Sequence, residues 1–191
     1  MMVRVHPALF LLAVVPASSL LAQATGTAYQ GIRLYAYGTG SYVRPDYGGA
    51  LKNAGATVGG TANVFTMYPV QLGFDLRAVG SGGRVSREYF YGGGPRAQVN
   101  LGRFEPFAQF HVGYGRIAFQ YVTTPGYTHD QSLVKAYGGG LDYRLSRTWA
   151  VRGEVERQSW HFSGYNYSFY PLAVSAGVRY QFHFHNRFGP E

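Results

Sequence analysis

From Leu172 onward the chain alternates. Leu172, Val174, Ala176, Val178, Tyr180, Phe182 and Phe184 share one face of an extended strand, and Ala173, Ser175, Gly177, Arg179, Gln181 and His183 share the other. A two-residue period is the side-chain repeat of a β-strand. An apolar face with aromatic residues gathered at one end is what a lipid-facing barrel stave with an interfacial girdle requires. The same alternation predicts seven earlier strands, at Gln30–Val43, Thr57–Thr66, Val70–Gly80, Tyr89–Leu101, Phe104–Tyr121, Val134–Leu145 and Trp149–His161. The third is the cleanest of these: Val70, Leu72, Phe74, Leu76 and Ala78 alternate with Gln71, Gly73, Asp75 and Arg77. Pro95 interrupts the fourth, and its missing N–H predicts a bulge or a strand end nearby.

The connections sort by length. Met67–Pro69, Gly102–Arg103 and Ser146–Thr148 are tight, whereas Pro45–Ala56, Ser81–Glu88, Thr123–Leu133 and Phe162–Ser168 are longer and rich in Gly, Ser, Asn and Tyr. No segment offers the eighteen or more consecutive apolar residues of a membrane-spanning helix, so a membrane protein built from this chain must close its sheet to satisfy every backbone group. The expected fold is all-β: an eight-stranded antiparallel up-and-down transmembrane β-barrel with short periplasmic turns and longer extracellular loops.

The first 24 residues change where that barrel resides. Arg4, the apolar run from Ala8 to Val15 continued by Leu20 and Leu21, and the small-residue site Ala22-Gln23-Ala24 make residues 1–24 a secretory signal peptide, leaving residues 25–191 as one barrel domain. The 191-residue chain has no cysteine, which excludes disulfides, thiol catalysis and thiolate metal sites. Its formal charge of +8 would suggest an acidic partner, yet export argues against nucleic acid and the aromatics do not interleave with one basic patch. The 27 glycines suit close strand packing in a small barrel, and the 17 tyrosines suit a membrane interface.

Parity assigns the barrel interior a set of charged residues: Arg33, Asp75, Arg77, Arg96, Asp142, Arg144, Arg152, Glu154, Glu156 and Arg179. Enclosed charges of both signs require pairing, so these residues are expected to form a hydrogen-bonded network with trapped water. Eight strands leave an interior just wide enough for side chains, which favours a structural plug over a narrow passive channel. His111 is expected as a hydrogen-bonded lumen residue. Glu154 and Glu156 share a face but lack the rest of a hydrolase, and His183 and His185 have no carboxylate or thiol near them in sequence. No catalytic residue, metal or cofactor is therefore expected.

Three stretches carry a resemblance to a known family. Gly94-Pro95-Arg96 followed by Phe104-Glu105-Pro106-Phe107-Ala108, then Gly138-Gly139-Gly140-Leu141-Asp142-Tyr143-Arg144-Leu145, and finally Leu172 to Phe182 resemble the bacterial outer-membrane protein beta-barrel family. These are the small eight-stranded barrels of the OmpA and OmpX type, here most similar to the compact version of acidobacterial-type genomes. Gly177, Tyr180 and Phe182 also resemble the terminal signal read by the barrel assembly machinery, although this chain continues past Phe182 to Glu191.

The resemblance implies a non-enzymatic monomer in the outer membrane with a structural, envelope-integrity or adhesion role. Its implied partners are outer-membrane lipid, lipopolysaccharide, the assembly machinery and any extracellular ligand met by the loops, through residues such as Tyr47, Arg84, Arg87, Tyr127, His129, Tyr165 and Tyr167. One catalytic alternative comes from the lipid A deacylases, to whose His-x-Ser pair His161-Phe162-Ser163 is similar, with both side chains on the lipid face. A serine nucleophile there needs an orienting acid. Strand eight supplies none before Glu191.

Overall fold

The computed structural model describes residues 32–46, 52–119, 129–162 and 167–183. They form nine strands: β1 (Arg33–Arg44), β2 (Asn53–Met67), β3 (Val70–Gly82), β4 (Ser86–Val99), β5 (Phe104–Phe119), β6 (His129–Arg144), β7 (Trp149–Phe162), β8 (Tyr167–Phe169) and β9 (Leu172–Gln181). Every sequential pair from β1 to β7 is antiparallel, β7 pairs with β8 and β9, and β9 pairs with β1. Following these pairings returns to the starting strand, so the sheet closes into a barrel. β8 and β9 keep one register against β7, Trp160 with Phe169 and Arg157 with Leu172, and together they are the eighth stave, broken at Tyr170-Pro171. The break follows from Pro171, which cannot donate to the ladder. The proposed signal peptide, residues 1–24, lies outside the described residues.

Large apolar side chains cover the outside of this barrel. Val58, Leu72, Phe74, Leu76, Val112, Leu141, Val151, Val155, Val174 and Val178 are all exposed, while the alternate positions of the same strands are buried. A water-soluble sheet would bury the first set; this one turns it toward the solvent that favours it, hydrocarbon. We call the end bearing the turns at 68–69, 100–103 and 145–148 the lower end. Gly102 makes the β4–β5 turn with φ +68°, a conformation that costs glycine nothing. Leu101 and Phe104 exchange backbone hydrogen bonds across that turn at 2.9 and 3.2 Å.

The structure departs from the sequence reading in three places. The β2 and β6 strands begin at Asn53 and His129, several residues earlier than hydrophobic alternation predicts. A backbone ladder needs only N–H and C=O groups, so it continues past the point where the side chains turn polar. For the same reason Ser81–Glu88 is not a long loop: β3 and β4 enclose it down to residues 83–85, where the Gly83 N–H donates to the Ser86 carbonyl at 3.0 Å. Pro95 produces neither bulge nor strand end. The β4–β5 ladder skips Gly94 and Pro95 and resumes at Arg96–Gln109 in unchanged register. The bulge in this barrel lies elsewhere, at Asn63/Phe65 of β2, and it places Val64 and Phe65 both on the outer face.

Candidate functional site: the barrel interior

Inward positions of all the long strands fill the lumen, in two polar layers below and one apolar layer above. Asp142 on β6 is the hub of the lowest layer. Its carboxylate accepts two hydrogen bonds from Arg152 of β7, at 2.8 and 2.9 Å, and one each from Arg96 of β4 and Arg179 of β9 at 2.9 Å. Three guanidiniums on one carboxylate repel one another, and ring faces offset part of that cost. Arg96 lies 3.7 Å above the Phe107 ring centroid, Arg152 4.0 Å above Tyr37, and Arg179 4.5 Å above Tyr35. Arg179 also reaches Glu105 at 2.7 Å, and Gln98 donates to the same carboxylate at 3.1 Å.

The second layer centres on Asp75 of β3. It accepts from Tyr37 at 2.7 Å, Thr61 at 2.6 Å and Arg77 at 3.2 Å, and His111 Nε2 lies 2.9 Å away. Arg77 carries the network across the lumen, donating to Glu156 at 2.6 Å and to Glu154 at 3.4 Å. From Glu156 it climbs: Gln158 Nε2 donates to Glu156 at 2.9 Å, and Trp160 Nε1 donates to Gln158 at 2.9 Å. Trp160 belongs to the third layer, an apolar cluster with Phe90, Ile117, Val134, Ala136, Phe162 and Phe169. Its ring stacks on Phe169 with centroids 5.3 Å apart, and Phe162 stacks on Phe169 at 5.4 Å.

Of the ten charged residues that parity assigned to the interior, eight lie buried in this column: Asp75, Arg77, Arg96, Asp142, Arg152, Glu154, Glu156 and Arg179. Arg33 and Arg144 do not. Arg33 is exposed at the first residue of β1, and the half-exposed Arg144 closes the lower mouth, donating to the Gly102 carbonyl. Both have inward parity, but each sits at a strand end where the lumen opens. Glu105 and Glu88 are buried acids the sequence reading left out, and the apolar upper layer went unnoticed as well. The parity of Gln158, Trp160 and Phe162 on one strand carried the signal for that layer, but alternation by itself reads an inward Trp as an outward one shifted by a residue.

The remaining candidates lie apart from this network, Gly177 at the inward parity of Ser175 and Arg179, and Tyr180 and His161 on the outer face. Gly177 pairs with Thr39 on β1, and a Cβ there would fall on the Gly38 carbonyl oxygen, so close approach of β9 to β1 requires a glycine. Tyr180 makes edge contacts with Trp149 at 5.1 Å and with Phe182 at 5.0 Å. His161 is exposed on the outer face, where its Nδ1 lies 2.9 Å from Ser168 Oγ on β8; Ser163 is outside the described residues. Among the described residues no carboxylate contacts His161, and no group of three or more His, Cys, Asp or Glu could hold a metal ion.

Comparison with known proteins bears on the fold. No family model matches the chain, and no curated protein matches it. Among solved structures, the chain is similar to neisserial surface protein A, with a TM-score of 0.56 at 12% identity over 78% of this chain and 97% of that one. It is likewise similar to Ail, the attachment invasion locus protein of Yersinia pestis, with a TM-score of 0.53 at 11% identity over 79% and 97% of the two chains. The chain has the fold of small outer-membrane β-barrels.

Proposed function

We propose that this protein is a structural outer-membrane barrel with a closed interior and no catalytic activity, exported by residues 1–24 and inserted through the assembly signal at Gly177, Tyr180 and Phe182. The observation that carries the reading is the continuous filling of the lumen. Glu105 and Asp142 share Arg179, Asp142 connects to Asp75 through Arg152 over the ring of Tyr37, which donates to Asp75, Asp75 and Glu156 share Arg77, and Gln158 links Glu156 to Trp160, whose apolar cluster narrows the lumen above. Charges held this way define a rigid cross-section rather than a conduit. The connections at 45–52, 83–85, 120–128 and 163–166 are the surface through which a monomer of this kind meets an extracellular ligand. The outer face argues against the esterase reading, since the described strands carry no outward carboxylate to orient His161.

Reconstitution into planar bilayers tests the closed interior. The expected record is silent. Unit conductance steps that change on Arg152→Gln or Glu154→Gln would establish a channel instead. Deleting 45–52 and 120–128 separately, and scoring cell adhesion and envelope leakage side by side, tests the surface role. Unchanged adhesion with altered leakage would reject ligand binding and leave the structural role.

A further inference from the structure

The buried charges of the lumen do not balance layer by layer. In the lowest layer Arg96, Arg152 and Arg179 face Asp142 and Glu105, an excess of one positive charge. In the second, Asp75, Glu154 and Glu156 face Arg77, an excess of two negative charges. Net charge sealed in a low-dielectric interior is costly, and these two layers cancel only when the second takes up one proton. Glu88 belongs to neither layer: it lies higher, beside Phe90 and Trp160, where Ser81 donates to it at 3.0 Å.

His111 on β5 is placed to hold that proton, and its side chain is wholly buried. Its Nε2 lies 2.9 Å from Asp75 Oδ1, an oxygen that already accepts from Tyr37 and Arg77, so Nε2 carries a hydrogen and donates it. In the neutral ring Nδ1 is then a bare lone pair. It faces another acceptor, Glu156 Oε2, at 3.8 Å, and it has no hydrogen-bond partner. A second proton turns this opposed pair into donor and acceptor, with a gap that closes toward the ~3 Å of an N–H···O bond. The charged and titratable groups around the ring are Asp75 and Arg77 from β3, Glu156 and Glu154 from β7, and Tyr37 of β1 through its bond to Asp75. The flanking strands bring only small residues to its side, Gly94 of β4 and Ala136 of β6.

Glu156 gives that proton a reach beyond one ring. Its Oε1 accepts from Gln158 Nε2 at 2.9 Å, and Gln158 Oε1 accepts from Trp160 Nε1 at 2.9 Å. Trp160, the polar-tipped member of the apolar layer, therefore hangs by two hydrogen bonds from the carboxylate that faces Nδ1.

We propose that His111 is a proton-operated latch in the lumen: protonated, it joins Asp75 on β3 to Glu156 on β7 and steadies the arm that carries Trp160. Neutral, it leaves Glu156 to Arg77 and Gln158. Acidity then sets how firmly the aromatic layer is held, a local change of charge read out by packing several residues away. The latch depends on the closed barrel and is independent of whether the lumen conducts or the loops bind a ligand.

The test uses the full barrel with ¹⁵N-labelled histidine and tryptophan, refolded in zwitterionic micelles at about pH 5 and at about pH 8, the span in which imidazoles ordinarily change charge. Refolding at each condition lets the buried ring equilibrate. At the alkaline end one His111 ring nitrogen is expected to bear a hydrogen, and at the acid end both. The Trp160 indole N–H resonance shifts in step, while that of Trp149 on the outer face stays in place. H111Q identifies the His111 signals by their loss and abolishes the Trp160 shift. E156Q keeps the ring but removes the charged acceptor, so the Trp160 resonance no longer follows it. If H111Q does not fold, H111N serves for assignment, and the coincidence of the two transitions in the wild type still decides. A His111 ring with the same protonation at both ends, or a Trp160 resonance that stays put while the ring changes, would overturn the proposal. So would a Trp160 shift that survives in H111Q, since that assigns the titration to another group such as Glu88 or Glu154.

Discussion

Replacing Asp142 with Asn removes one charge, keeps the side-chain shape, and orphans two arginines. In the intact barrel Asp142 lies 2.8 to 2.9 Å from Arg96, Arg152 and Arg179. After the change Arg179 still has Glu105 at 2.7 Å, but Arg96 keeps only the neutral Gln98 and Gln109 and the Phe107 ring face, and Arg152 keeps only ring faces. At an effective dielectric near 20, each charge pair is worth about 4 kcal/mol at a separation of ~4 Å. Three such attractions exceed the net effect several-fold, because burial and the mutual repulsion of the guanidiniums oppose them. Breaking a buried pair by removing one partner costs about 3–5 kcal/mol, and that is the expected destabilisation here.

The assay is urea unfolding of the barrel refolded in zwitterionic vesicles. It is followed by gel mobility and by the fluorescence of Trp160 inside the lumen and Trp149 outside it. With a denaturant slope of about 1–3 kcal/mol/M, the midpoint falls by roughly 1–5 M. Glu105→Gln is the internal comparison: Arg179 retains Asp142 there, so the cost is smaller, about 1–2 kcal/mol. Adding Arg152→Met to Asp142→Asn should recover part of the loss, because it removes one of the orphaned charges. A cost for Asp142→Asn below about 1 kcal/mol, or below that of Glu105→Gln, would refute the claim that this carboxylate anchors the column.

Gly177→Ala places a Cβ on the Gly38 carbonyl oxygen and is expected to weaken the β1–β9 seam by about 1–3 kcal/mol, seen as a reduced heat-modifiable fraction. Gly153→Ala, where a Cβ meets nothing within 4 Å, should leave that fraction unchanged, and equal effects at the two sites would discount the close-approach argument. Tyr180→Lys with Phe182→Lys loses the ring contacts at 5.1 and 5.0 Å and adds interfacial charge. Together these cost about 1–3 kcal/mol, so membrane-inserted protein in cell fractions should fall, and a normal yield would count against an assembly signal at these residues.

Alternation along the chain was enough to identify the staves, because a barrel wall between lipid and lumen imposes a two-residue period that propensity alone does not. It also fixed the faces. Asp75, Arg77, Asp142 and Arg152 were assignable to the interior from their apolar neighbours Leu72, Leu76, Leu141 and Val151. Strand ends were not legible: Asn53 and His129 begin strands with polar side chains, and residues 83–85 close a hairpin inside what reads as a long polar loop.

Pairing distance was equally hidden. Arg77 meets Glu154 and Glu156, 77 and 79 residues away, only because the closed sheet sets β3 across the lumen from β7. Arg33 and Arg144 share the parity of the buried arginines, yet their depth along the barrel, which parity does not encode, leaves them at its mouth. The sequence by itself determined the fold class and which side of the wall each residue faces, since both follow from local period. Tertiary structure decided which charges meet and where the lumen turns apolar at Trp160, because those depend on closure, stagger and depth.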